Sequence, residues 1–359
     1  MSKKRILMCN EFSRLATGYS RYGYELLSRL YDTDKYEIAE FASYVHFKDE
    51  RLNSVPWKVY TNMPTGDNQQ ENEFYNSNQI FQFGSWRFHD VLFDFKPDVV
   101  ISILDPWMFE HISHSPLRKN FRLLLMPTVD SAPQQESWLA MFSDADGVFT
   151  YSDWGLEILK KEGCGRIKLL DSASPCADIN TFFPIMDKKT HKTALGLQSD
   201  INIIGTVMRN QKRKLYPDIL DAFNQFLKKC ISLGNKQLAN KTYLYFHTSY
   251  PDLGWDIPAL IKDYGLSHKV LMTYICHTCG HVFPGFFQDS RAVCTNCGKY
   301  QAGLPNTQIS ASTQVLAAIN NLFDIYIQIS VAEGFALPLV EAASCGVPVV
   351  GSGLLGYGR

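Results

Sequence analysis

The chain has 359 residues, 45% hydrophobic and 20% charged, with a formal net charge of −1. That length and composition suit a globular protein of two domains, each able to bury its own core. So balanced a charge excludes a global field that would gather nucleic acid or an acidic membrane surface, and no run approaches the roughly 18 apolar residues of a membrane-spanning helix.

The start, "MSKKRILMCN", carries basic residues, but its apolar run is too short for a secretory core and no cleavage site follows. "RILMC" (5–9) reads as a buried strand, and "SRYGYELLSRLY" beyond Gly18 has helical spacing. Residues 61–80 are polar and aperiodic and are expected to form a surface loop. "PDVVISIL" (97–104), "RLLLMP" (122–127) and "GVFTYS" (147–152) read as further strands, the first β-branched as buried parallel strands are. "DWGLEILKKEG" (153–163) is a helix with an aspartate cap and a glycine stop.

The alternation pauses over 169–192, a stretch with two prolines, small polar residues and charges. This places a first domain at 1–170, a linker at 171–195 and a second domain at 196–359. The second series runs "INIIGTV" (201–207), a helix from "LYPDILDAFNQFLKKC", "TYLYFHT" (242–248), a helix from "DIPALIKDYGL" and "KVLMTY" (269–274). It continues with the helix "STQVLAAINNL", the strand "FDIYIQIS", the helix "LPLVEAASCG" and the strand "VPVVGS". Two successive βα series predict an α/β protein of two Rossmann-like domains facing a cleft, with ligands at the carboxyl ends of the strands.

Two groups of residues carry chemistry in that frame. Glu333 falls in the loop after one strand and Glu341 in the next helix, around a helix N-terminus whose N–H groups suit phosphate. Carboxylates on either side could grip the hydroxyls of a sugar and a ribose. The plainer account is a surface acid and a glutamate favoured by the helix dipole. Arg209 and Lys214 follow the first strand of the second domain, a guanidinium fork and a point charge suited to a diphosphate. Negative charge collects on such a leaving group as a glycosidic bond breaks, and two fixed cations would stabilise it without a metal. Arg213 and Lys212 read as solvent charges.

"EGFALPLVEAASCGVPVV" resembles the signature of the retaining glycosyltransferases with two Rossmann-like domains, the GT-B fold. The resemblance covers most of 5–353, sharply in the second domain and loosely in the first. It implies that Glu333 contacts the donor sugar, that Glu341 contacts the nucleotide ribose, and that the backbone of Phe335, Ala336 and Leu337 faces sugar and phosphate. "GTVMRNQKRK" is similar to the stretch holding the family's donor-phosphate pair, matched by Arg209 and Lys214. "LATGYSRYGYELLSRL" resembles the N-terminal glycine loop, where Gly18 would admit the phosphate; a plain turn explains it equally well. "MPTVDSAPQQESW" stands where many relatives carry a histidine; here Asp130 is at or near that place, either as a group for donor sugar or acceptor or as a cap. "SPCADINTFFP" resembles the family's linker, with Asp178, Phe182 and Pro184 in familiar places. His247 ends a strand, either as a donor contact or as a structural residue.

Two features depart from the family. One is a pair of CxxC knuckles, Cys276/Cys279 and Cys294/Cys297, with 14 residues between the pairs and Gly280 and Gly298 following them. Four thiolates at this spacing suit a closed, structural Zn²⁺ site in a zinc-ribbon insertion at 275–303. The other five of the nine cysteines are scattered singly, which fits a reducing, cytoplasmic compartment better than a disulfide framework. The second departure is the end. Relatives continue beyond "GVPVV", so the second domain is expected to be shortened, with apolar surface exposed near Val349 and Leu354.

The resulting expectation is a hexosyltransferase-like enzyme. It moves a sugar from a nucleotide-sugar donor to an acceptor hydroxyl of a glycan, lipid or protein, with retention of configuration and no catalytic metal. A nucleotide-sugar epimerase of the same fold and a non-catalytic binding or scaffold protein are the alternatives. Nucleic acid is not expected as a partner, and peripheral membrane contact stays open.

Overall fold

The computed structural model describes residues 3–287, 289–306 and 310–352. The chain divides between Pro175 and Cys176 into two compact units. Among the described residues no helix is long and apolar enough to cross a membrane.

The first unit is built on seven parallel strands: β1 (Lys4–Glu11), β2 (Tyr36–Ser43), β3 (Lys58–Thr61), β4 (Val99–Ser102), β5 (Arg122–Leu125), β6 (Gly147–Thr150) and β7 (Leu169–Ser172). They lie in the order β3-β2-β1-β4-β5-β6-β7, doubly wound from the centre as expected. Leu7 on β1, Val100 on β4, Leu123 on β5 and Val148 on β6 are fully buried in one core. β2 also buries a carboxylate, on the face opposite Ala39 and Phe41. Glu40 is fully buried, and it accepts hydrogen bonds from Ser13 N (2.6 Å), Ser13 Oγ (2.8 Å) and Trp57 Nε1 (3.0 Å). Burial pushes its carboxyl above the ordinary range, against the pull of those donors.

The stretch 61–80 is not all loop. Residues Gln69–Ser77 form a helix, because Asn68 Oδ1 accepts from Gln70 N (3.0 Å) and Glu71 N (3.3 Å). Tyr75 buries the inner face of that helix and meets Trp86 edge-on at 6.2 Å. Residues 169–192 supply β7 and then, at Lys188–Ala194, a short helix capped by Asp187.

The second unit holds β8 (Asn202–Val207), β9 (Thr242–His247), β10 (Val270–Cys276), β11 (Val282–Phe286), β12 (Arg291–Ala292), β13 (Ala302–Gly303), β14 (Ile325–Gln328) and β15 (Val349–Gly351). The order is β12-β13-β10-β9-β8-β14-β15, with β11 also on β10. β10-β9-β8-β14-β15 is parallel, while β11 and β13 join β10 antiparallel. Gly205 on β8 allows the sheet to seat Phe323, whose ring would lie 2.2 Å from an added Cβ. β15 is outermost on its side among the described strands, and Val349 and Val350 are exposed on it. Leu354, expected to share that surface, lies outside the described residues.

Candidate donor-binding site and cysteine cluster

The loop after β8 and the loop after β14 are stitched together. Lys214 and Ser330 form an isolated antiparallel bridge, Leu215 N donates to Ile329 O (3.1 Å), and Val331 N donates to Arg213 O (2.9 Å). Both loops leave the carboxyl ends of neighbouring parallel strands, which is where such sheets collect functional groups.

This stitching brings Lys214 and Glu333 into direct contact. Lys214 Nζ donates to Glu333 Oε1, and the two side chains are 8% and 7% exposed. Oε1 also accepts from Ser330 Oγ (2.8 Å) and Gln328 Nε2 (3.2 Å). Arg213 completes the ring, with Nη1 3.1 Å from Oε2 and donating at 2.7 Å to Ala332 O. Arg213 is therefore not the plain solvent charge expected from its place in a basic run. Lys212 lies 4.3 Å over the Trp255 ring.

Burial works against both charges of the pair. It pushes Lys214 down to about 8 despite Glu333 beside it. For Glu333 the burial is outweighed by Lys214 and Arg213, and its carboxyl stays below the ordinary range. The pair is ionic at neutral pH.

Arg209 is turned to a different partner. Its Nε and Nη2 donate to Asp252 at 2.9 and 3.2 Å, and the Asp252 side chain is 7% exposed. Burial would raise the Asp252 carboxyl, but Arg209 and Ser249 hold it low. Glu341 is buried within the helix Leu337–Ser344. Ala336 begins that helix at φ 65°, ψ 55°, with no side-chain cap. A left-handed alanine costs about 1–2 kcal/mol. Pro338 in its first turn carries no N–H, and Leu339 N donates to Ala336 O (3.0 Å), so this helix start offers an anion fewer N–H groups than an ordinary one. Phe335 and Leu337 flank it, both partly exposed.

His247 ends β9, and its Nδ1 lies 3.0 Å from Thr273 Oγ1. Burial pushes its imidazole down to about 4, so the ring is neutral at ordinary pH. In the first unit, Gly18 opens the helix Gly18–Asp32 with Thr17 as cap, and open space lies where its Cβ would be. Asp130 follows β5 at its carboxyl end and is half-buried.

The four cysteines converge. Their sulfurs all lie within 4.8 Å of one another, with Cys276–Cys297 at 3.6 Å and Cys279–Cys294 at 3.7 Å. None is in a disulfide. A tetrahedral site with Zn–S of about 2.3 Å has edges of about 3.8 Å, so the residues present fit the metal. The knuckles are alike: Gly280 N donates to Cys276 O (2.9 Å) and Gly298 N to Cys294 O (3.0 Å), both glycines near φ 70°. Thr278 N approaches Cys276 Sγ and Asn296 N approaches Cys294 Sγ, each at 3.4 Å. N–H groups from Cys279 and Thr278 hold the Cys276 thiol below its ordinary range, which favours the thiolate.

A scan of protein-family models and a search of curated proteins each returned no match. Solved structures do match. Sucrose-phosphate synthase from Thermosynechococcus elongatus superimposes with TM-score 0.66 at 17% identity, covering 99% of this chain and 82% of that one. HepE from Anabaena, in complex with UDP and glucose, gives TM-score 0.62 at 15% identity, covering 98% and 82%. A glycosyltransferase from Rickettsia africae gives 0.63 at 12%, covering 99% and 81%. The fold is that of the GT-B glycosyltransferases.

Proposed function

We propose that this protein is a glycosyltransferase that takes a sugar from a nucleotide-sugar, a uridine diphosphate sugar as in the HepE complex, and passes it to an acceptor hydroxyl. The observation that carries the reading is the Glu333 carboxylate, buried and ringed by Lys214, Arg213, Ser330 and Gln328 at the ends of β8 and β14. A fixed carboxylate beside fixed cations suits a molecule with sugar hydroxyls at one end and a diphosphate at the other. In this reading Lys214 and Arg209 stabilise the leaving diphosphate, the amides of 335–337 hold its oxygens, Glu333 grips the sugar and Glu341 the ribose. Gly18, Asp130 and His247 serve the donor or acceptor. Retention and independence from a catalytic metal belong to the same proposal, as does a reducing, cytoplasmic setting. Bound Zn²⁺ at Cys276, Cys279, Cys294 and Cys297 would act as a structural crosslink.

The test is acceptor-dependent release of uridine diphosphate from uridine diphosphate sugars, scored with Lys214→Ala alongside. Release without any acceptor, or turnover of donor into an epimer, would favour other chemistry.

A further inference from the structure

We propose that the four-cysteine ribbon, once metal-bound, braces the segment Ser249–Trp255, and that Tyr250 and Asp252 are positioning residues through which the ribbon sets Arg209 and Lys214. The consequence for ligand affinity rests on the donor-site reading above; the bracing itself does not.

The ribbon is grown directly on the sheet. Cys276 is the last residue of β10, and β11 and β13 return to pair with β10. Two of its segments converge on one residue. Phe287, just past β11, meets the Tyr250 ring edge-on at 6.2 Å, and Pro305 O, just past β13, accepts from Tyr250 N at 3.3 Å.

From Tyr250 the contacts run to the cationic loop. Ser249 Oγ accepts from Asn210 N (3.2 Å) and donates to Asp252, which holds Arg209 through two bonds. Trp255 exchanges hydrogen bonds with Asn210, N to Oδ1 and Nδ2 to O, each 2.8 Å, and its Nε1 donates to Lys214 O at 2.8 Å. Gly254 allows this approach, since a Cβ there would lie 2.6 Å from the Asn210 backbone. The side chain of Arg209 and the backbone of Lys214 are thus both fastened to the segment that Tyr250 anchors.

β11 anchors one limb of the ribbon on β10 over five residue pairs, with Phe283, Ala302 and Leu304 buried, so the metal matters for the remainder. β12 and β13 are two residues each, and so small an element gains its order from the crosslink. With the metal gone, Pro305, just past the two-residue β13, loses its fixed position, and Phe287 keeps only the support of β11. The cations then spend less time where they can meet a diphosphate, and apparent affinity falls with that fraction. Linkage requires the reverse effect: a bound diphosphate must tighten the metal by the same factor.

The experiment compares Zn²⁺-loaded and chelator-stripped full-length protein, both kept reduced. Hydrogen exchange should show faster exchange at 208–215 and 249–256 in the stripped protein, with β8 and β9 still protected. Calorimetry with uridine diphosphate should show affinity about tenfold weaker, restored by Zn²⁺, in the usual range of allosteric couplings. Uridine diphosphate should slow Zn²⁺ transfer to a competing chelator. Loaded Tyr250→Ala loses the ring contact but keeps the N–H bond to Pro305, so it should keep its Zn²⁺ yet exchange faster at 249–256 and bind more weakly than the loaded parent. Tyr250→Phe, which loses only the hydroxyl bond to Asp256, should behave as the parent. Unchanged exchange at 208–215 on stripping overturns the bracing. Absence of uridine diphosphate binding in the loaded protein would instead remove the donor-site reading, with exchange still deciding the brace.

Discussion

Lys214 and Glu333 form a buried ion pair, 119 positions apart in sequence, with the carboxylate also held by Arg213, Ser330 and Gln328. The two partners are not equivalent. Glu333→Gln strips the counter-charge from Lys214 and Arg213 together, and breaking a buried pair in this way costs about 3–5 kcal/mol. Lys214→Met leaves the carboxylate with three other donors, so the loss should be nearer about 1–2 kcal/mol. Urea unfolding of both variants measures the difference, and equal losses would contradict this asymmetry.

The pH dependence of nucleotide binding follows from Lys214. Burial pushes its ammonium group down to about 8 in the free protein. A bound diphosphate favours the charged form, so the value in the complex is higher. Binding above about pH 8 must then take up a proton, and affinity should fall up to tenfold per pH unit there while staying flat near pH 7. Calorimetry in buffers of different ionisation enthalpy detects the uptake. Lys214→Ala should abolish it.

The two glutamates should separate by ligand. A ribose contact exists with or without the sugar, so Glu341→Ala should weaken uridine diphosphate and its glucose conjugate alike, by about tenfold for each 1.4 kcal/mol lost. Glu333→Gln should cost affinity for the sugar conjugate more than for uridine diphosphate, which loses only through the Lys214 ammonium that Glu333 no longer holds. Competition binding with both ligands on folded variants reads the split. Loss of uridine diphosphate affinity on changing Glu333, with none on changing Glu341, would reverse the assignments.

Metal analysis of protein purified under reducing conditions should find about one zinc per chain. Cys294→Ser should lose most of it while β1, β8 and β9 keep their exchange protection. A zinc-free protein with disulfides among these four cysteines would reject the site.

What the sequence disclosed follows from how local each signal is. The cysteine knuckles announce themselves because both ligand spacing and the left-handed glycines sit within five residues of chain. The strand–loop–helix around Glu333 and Glu341 is equally local. Asp252 carries no such sign, since its role comes from Arg209, 43 positions away. Arg213 looked like one charge in a basic run, and only the bridge between Lys214 and Ser330 turns it toward Glu333. β2 is hard to read because Glu40 interrupts its apolar pattern, and Ser13 and Trp57 satisfy that carboxylate from outside the strand. The helix Gln69–Ser77 buries a single residue, Tyr75, so its amphipathic period is faint and its signal is the Asn68 cap.

A donor site on the loops after β8 and β14 stands or falls on calorimetry of the zinc-loaded protein with uridine diphosphate, with Lys214→Ala and Glu341→Ala measured beside the parent. One saturable site is expected, weakened at least tenfold in each folded variant, about 1.4 kcal/mol or more. Absence of binding to the parent, or unchanged affinity in both variants, would contradict it.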